Sequence, residues 1–197
     1  MDSGQVDTPE VERDPGDGSW ASLGGEDKRA RMLDAAESVF AHHGFDAPMP
    51  EVARAAGAGV GSLYRLFASK DALIAALAAR RLNHLADRLQ HHARGDDAWR
   101  AILGFLDDVL GDDASDPVAA RAVATSDAAE VRAVRARVHS LMQDLLARAI
   151  ADGVVRPDAD HLDLIMVIRA ARASRDLAPG AWRRSVQLML DGLRTPG

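Results

Sequence analysis

The chain has no cysteine. That excludes a disulfide framework and any thiolate zinc site. Aromatic residues are scarce, at 4% of 197 positions, although 47% of the chain is hydrophobic. A core must therefore be built from Leu, Ala, Val, Ile and Met, a composition that favours helices over strands. No window reaches the roughly 18 apolar residues of a membrane span. The first residues are acidic and carry no apolar run, which argues against a signal peptide. These absences lead to the expectation of a soluble cytoplasmic protein with no membrane partner.

An excess of positive charge is also lacking, since the net charge is −6. The acid is unevenly spread. Residues 1–25 hold six acids and one base, residues 26–91 eight acids and nine bases, and residues 92–197 sixteen acids and fourteen bases. The second segment is weakly basic. It tolerates phosphate contact without implying strong non-specific nucleic-acid binding.

The first 25 residues are rich in Asp, Gly, Pro and Glu and are expected to form a disordered acidic tail. From about Asp27, Met32, Leu33, Ala36, Val39 and Phe40 recur at helix spacing, and Gly44 supplies a stop. A short helix is predicted at about 50–56, with Pro50 at a first helical position and Glu51 at its positive end. Gly57 and Gly59 bracket a turn before a second short helix at about 60–67. Ser69 then caps a long helix reaching about His92. Further helices are predicted at about 97–110, from near Pro117, and at about 127–151, 159–175 and 179–193. No convincing strand and no internal repeat is found. The expected fold is all-α, divided into a tail (1–25), a three-helix helix-turn-helix DNA-binding domain (26–72) and a helical ligand-binding and dimerisation domain (73–197).

The stretch from Gly44 to Lys70 carries the chemistry. A short helix, a glycine turn, a second short helix and a capped third helix follow in fewer than thirty residues, which is the outline of a helix-turn-helix DNA reader. A reading helix must be short, firmly mounted and narrow enough for the major groove. Leu63 and Phe67 lie four apart and can anchor it. Val60, Gly61, Ser62, Tyr64 and Arg65 are then left nearer the outer face. Gly61 permits close backbone approach. Ser62 and Tyr64 can donate to phosphates, and Arg65 can meet phosphate or guanine. Lys70 adds its charge to the start of the next helix. Arg29 and Arg31, with Lys28, are candidate flanking contacts, and Pro50 and Gly59 border the reading element.

Residues 29–75 resemble the N-terminal domain of TetR/AcrR-family transcriptional regulators. The likeness rests on Arg31-Met32-Leu33-Asp34-Ala35-Ala36 through Val39-Phe40 and Gly44-Phe45, on Val52-Ala53 with Ala56-Gly57, and on Gly61-Ser62-Leu63-Tyr64-Arg65 with Phe67 and Ser69-Lys70-Asp71-Ala72-Leu73. The chain departs from the family pattern at Gly59, where Ser or Thr is usual, at Leu66, where His often precedes the Phe, and at Ala47-Pro48. The resemblance implies a homodimeric regulator bound to a near-palindromic double-stranded operator. It also implies that the last two helices of each subunit form a four-helix interface, with Leu162, Ile165, Met166, Trp182, Val186, Met189, Leu190 and Leu193 as the candidate contacts.

A pocket for a small, apolar effector is expected among the middle helices. Trp99, Phe105, Val138, Met142 and Met166 are candidate lining residues, and His139, Gln143 and Arg169 candidate polar hooks. No cofactor and no metal is expected. The pairs His42-His43 and His91-His92 are adjacent on a helix and point apart. Gly57-Ala58-Gly59-Val60-Gly61 lacks the preceding strand that a dinucleotide loop needs. No residue spacing argues for catalysis. The second reading, motivated by the net charge, Gly59 and Leu66, is a helical ligand-binding or scaffolding protein that has lost DNA binding.

Overall fold

Glycine stops and polar caps cut the chain into helices. The structure, a computed structural model, describes residues 19–111 and 117–195. Among the described residues there are nine helices: α1 (Gly25–His43), α2 (Met49–Ala55), α3 (Val60–Leu66), α4 (Lys70–Ala93), α5 (Ala98–Gly111), α6 (Pro117–Thr125), α7 (Ala129–Ala151), α8 (His161–Ala173) and α9 (Ala181–Leu193). The only extended pairing among them is one antiparallel bridge between Val155 and Arg194. None of these helices is long and apolar enough to cross a membrane. The acidic tail expected at 1–25 lies outside the described residues as far as 18. Beyond that point Trp20 packs half-buried against the core, and α1 begins at Gly25.

The turn between α2 and α3 is a Schellman closure. The Ala58 N–H donates to the Ala53 carbonyl at 2.9 Å and the Gly57 N–H to the Arg54 carbonyl at 3.0 Å. Gly57 takes φ +69°, the left-handed conformation that glycine enters without a Cβ penalty. The start of α4 is held by the Ser69 hydroxyl, which accepts from the Ala72 N–H at 3.1 Å. At the start of α8, Asp160 and Asp163 form a reciprocal capping box.

Met32, Ala36, Phe40, Val52, Leu63, Phe67, Leu73 and Leu77 are all buried and form the core of an N-terminal head. The 24 residues of α4 correspond to a rod of about 36 Å at 1.5 Å per residue. The division drawn at 72–73 falls inside α4, which continues unbroken from the head into the C-terminal bundle. There it packs on α5, α6 and α7, while α8 packs on α9. Leu82, Ala86 and Leu89 of α4 meet a bundle core that includes Ile102, Phe105 and Leu106 of α5, Met142 and Leu145 of α7, and Leu164 and Val167 of α8. Arg121 of α6 stacks over the Phe45 ring at 4.9 Å, a second tie between bundle and head.

Candidate functional site

The seven residues of α3 divide cleanly by face. Leu63 is 0% exposed and Phe67, just past the helix end, 2%, whereas Val60 is 39% and Tyr64 48% exposed. Gly61 and Arg65 are exposed with them, and Ser62 is half-buried. The Arg65 Nε donates to the Gly61 carbonyl at 3.2 Å, so the guanidinium lies along its own helix. Gly59 caps α3 with its carbonyl alone, accepting from the N–H groups of Ser62 and Leu63, and supplies no side-chain cap. The result is a narrow, exposed ridge on a buried two-point mount.

The flanking cations are tied to this ridge. The Arg29 guanidinium sits 4.6 Å from the centre of the Phe67 ring and links α1 to the end of α3. Arg31 is half-buried, and its guanidinium comes within 3.3 Å of where a Cβ on Gly57 would lie. It therefore lies over the turn. Pro50 is exposed in the first turn of α2, and half-buried Lys70 opens α4. Arg54, at the exposed end of α2 and 3.8 Å from Glu51, is a cation beside the turn that sequence reasoning missed.

A second feature lies in the bundle. A cavity of about 760 Å³ is walled by α4, α6, α7 and α8, with Asp34 and Glu37 of α1 and Val109 of α5. That volume falls in the ordinary range of small-molecule sites, about 300–1,000 Å³. Three helices present the same spacing to it: Arg81, His84, Leu85 and Arg88 on α4; Arg135, Val138, His139 and Met142 on α7; Ile165, Ile168, Arg169 and Arg172 on α8. Each set follows i, i+3, i+4, i+7, a single helix face. The lining holds six arginines, counting Arg80, against two acids. Both acids are on Arg80, at 2.7 Å from Asp34 and 2.6 Å from Glu37. Burial opposes the Arg80 charge, but the hydrogen bonds and charges of Glu37 and Asp34 outweigh it and raise its pKa. Arg135 is held by the carbonyls of Val123 and Ser126. Arg172 differs: its Nε is buried and has no acceptor.

The comparisons follow this division into two parts. Residues 32–77 match the description "Bacterial regulatory proteins, tetR family", and residues 97–195 match "Transcriptional regulator SbtR-like, C-terminal domain". The chain belongs to the TetR family of transcriptional regulators. A curated relative from Bacillus subtilis (strain 168), an uncharacterized HTH-type transcriptional regulator named YvdT, is 34% identical over 82 residues. The match covers 41% of this chain and 42% of the relative, so the chain spans about two-fifths of the length of the curated relative it matches. Among solved structures, a TetR transcription regulatory protein from Mycobacterium vanbaalenii is similar, with a TM-score of 0.61, 29% identity, and coverage of 85% of this chain and 95% of that one. The TetR transcriptional regulator SCO0520 from Streptomyces coelicolor gives a TM-score of 0.59 and 29% identity, covering 86% and 99%.

Within this TetR-family bundle, Val138, His139, Met142 and Arg169 line the cavity. Trp99, Phe105, Gln143 and Met166 are not in its wall. Phe105 is fully buried in the core, Trp99 lies under Arg194 at 5.1 Å, Gln143 is 3.3 Å from His161 Nδ1, and Met166 is 50% exposed. Leu162 joins Met166 on the outer face of α8, and Trp182, Val186 and Met189 are half-buried on α9. Leu190 and Leu193 are buried within the subunit, and Ile165 turns to the cavity.

Proposed function

We propose that this TetR-family protein is a cytoplasmic transcriptional repressor, released from its operator by a small molecule held in the C-terminal cavity. The observation that carries this is the placement of both features on one helix. α4 opens beside the exposed α3 ridge, and further along its length it walls the cavity. A ligand that alters how α4 sits in the bundle alters where α3 is presented. Such a ligand acts only through a difference in affinity between the two arrangements.

Two heads in successive major grooves of a near-palindromic site require a dimer. Exposed Leu162 and Met166, continuous with the half-buried apolar residues of α9, supply an apolar face of the kind that two copies would bury. The functional residues in this reading are Val60, Gly61, Ser62, Tyr64 and Arg65 at the bases and phosphates, and Arg29, Arg31, Gly59, Pro50 and Lys70 at the flanking backbone.

The test is to select bound fragments from genomic DNA with the purified protein and titrate the recovered site by gel shift across salt. Recovery of a two-fold symmetric site, bound far more tightly than unrelated duplex, supports the reading. Failure to enrich any fragment points instead to a helical ligand-binding protein without DNA recognition, the alternative to which the uncapped Gly59 and the net charge of −6 lend support.

A further inference from the structure

We infer that His139 of α7 and His161 of α8 together bind a borderline transition-metal ion, zinc(II), nickel(II) or copper(II), with Gln143 orienting the His161 ring. The expectation of no metal considers histidines that are neighbours in sequence; His139 and His161 meet only in the fold. The site stands apart from the reading of the cavity as an effector pocket.

The first support is geometry. The two ring centres are 4.8 Å apart and the planes are tilted by 41°, neither stacked nor edge-on. Two imidazoles bound to one ion, each through a nitrogen at about 2.0–2.1 Å, hold their ring centres about 4.5–5 Å apart. Both rings are only half-buried, so an ion can reach them from solvent. The second support is orientation. Gln143, one turn after His139, lies 3.3 Å from the His161 Nδ1. With the Gln143 amide oxygen accepting from Nδ1–H, the His161 Nε2 keeps its lone pair for a metal, the arrangement by which a polar neighbour fixes a ligating histidine. Other histidines are differently engaged: His42 with the Ser38 carbonyl, His43 with Glu51 and His92 with Asp108.

The third support is protonation. Burial first, then the charges of His161 and Arg135, lowers the His139 pKa, and a neutral imidazole is the form that ligates. Arg135 donates to the carbonyls of Val123 and Ser126, yet its charge still opposes a cation nearby. That selects against magnesium and calcium, which need oxygen ligands, and leaves ions whose affinity comes from nitrogen coordination. No group of three or more His, Cys, Asp or Glu among the described residues could hold a metal. The ion therefore takes two protein nitrogens and completes its shell with water.

The experiment titrates the untagged full chain, stripped with a chelator and dialysed, with zinc, nickel, copper, magnesium and calcium chlorides by calorimetry. At least one of the first three should bind at one equivalent per chain, ten or more times more tightly than magnesium or calcium. His139→Ala and His161→Ala should each lose at least tenfold, while His91→Ala, on the surface of α4, keeps the parental affinity. Gln143→Leu should lose severalfold and Gln143→Glu, which retains an acceptor, should recover it. Electron paramagnetic resonance of the copper(II) complex should show coupling to two imidazole nitrogens. Binding that survives both His139→Ala and His161→Ala overturns the inference, as does binding that only His91→Ala removes, or no preference over magnesium and calcium. If the alanine variants misfold, the resonance spectrum of the unaltered chain decides: coupling to fewer than two imidazole nitrogens overturns the site.

Discussion

Arg80 of α4 donates to Glu37 of α1 at 2.6 Å while forming part of the cavity wall. Asp34, one turn earlier on α1, accepts from the same guanidinium at 2.7 Å. The pair therefore joins the ligand space to the first helix of the head through one charged group. A ligand that draws on Arg80 would compete with Glu37 and Asp34 for it, and the tie between cavity and head would weaken. Arg80→Met should weaken the response of DNA binding to ligand while leaving ligand-free DNA binding largely intact. The Arg80 and Glu37 side chains are 20% and 30% exposed, so solvent screens part of their attraction. A double-mutant cycle with Glu37→Gln should give a coupling of about 0.5–1 kcal/mol. A coupling of zero with an unaltered ligand response removes Arg80 from the relay.

The ridge on α3 predicts a separable pair of defects. Tyr64→Ala and Lys70→Ala alter groups outside the core, so thermal stability should change by no more than about 0.5 kcal/mol. Both should weaken DNA binding at all sequences. Lys70→Ala should also lower the slope of log affinity against log salt by about one, the signature of a lost phosphate contact. Arg65→Gln should instead relax discrimination between sites, since a guanidinium that leaves the Gly61 carbonyl can reach a guanine edge. Unchanged gel-shift titrations for all three would remove α3 from the interface.

The mount beneath the ridge predicts losses of stability. Leu63 is fully buried in the core of the head, and Leu63→Ala should cost about 2–5 kcal/mol. Gly57 sits at φ +69° with Arg31 at 3.3 Å from the added Cβ. Gly57→Ala should cost about 1–2 kcal/mol, and Gly57→Asn less, because Asn tolerates the left-handed region. Equal urea midpoints for the two variants would argue that contact with Arg31, not backbone strain, sets the cost.

The fold was largely legible because its signals are local. Gly44, Gly57, Gly153 and Ser69 each mark a helix end within a residue or two of the observed boundary. The spacing of Leu63 and Phe67 sets which side of α3 is buried, and that leaves Tyr64 outside. The cavity was only half legible. The stripes on α4, α7 and α8 each mix cations with apolar residues, so no single helix reveals that their arginines converge. Large apolar residues such as Phe105 looked like lining but fill the core, because a side chain of that size is buried most completely where three helices meet. Arg80, Arg81 and Arg172 acquire meaning only once Glu37 and α8 are brought beside α4, and sequence periodicity carries no information on which helices meet.

His139 gives a pH-dependent prediction. It lines the cavity beside His161, with ring centres 4.8 Å apart. Burial first, then the charges of His161 and Arg135, lowers its pKa below the ordinary value near 6.5. The unfolded chain then takes up the proton before the folded one as pH falls. The folded state keeps the full contribution above about pH 6.5 and loses it progressively as pH drops toward the lowered folded value. His139→Asn removes the titration, so the stability difference between neutral and mildly acidic buffer should shrink relative to the parent. Denaturant melts at the two pH values measure this, and a larger difference in the variant would reverse the assigned sign.

The outer face of α8 predicts the assembly state. Leu162 and Met166 are four apart on one face and are 52% and 50% exposed. Their neighbours on α9, Trp182, Val186 and Met189, are only half-covered within the subunit. Two large apolar side chains, each about half exposed on adjacent turns, would each gain about half of the roughly 1.5–3 kcal/mol of full burial, and a second copy applied about a two-fold axis would cover both at once. Leu162→Glu combined with Met166→Glu places like charges across that axis, where they repel, while inside the subunit the two positions are about half exposed and lie outside the core. The parent should sediment as a dimer, and the double variant as a folded monomer with a near-parental melting temperature at low protein concentration. The variant's affinity for a symmetric DNA site should fall toward that of a single head, because the second head no longer binds from a tethered position. A parent that is monomeric at micromolar concentration, or a double variant that stays dimeric, would place the subunit contact elsewhere.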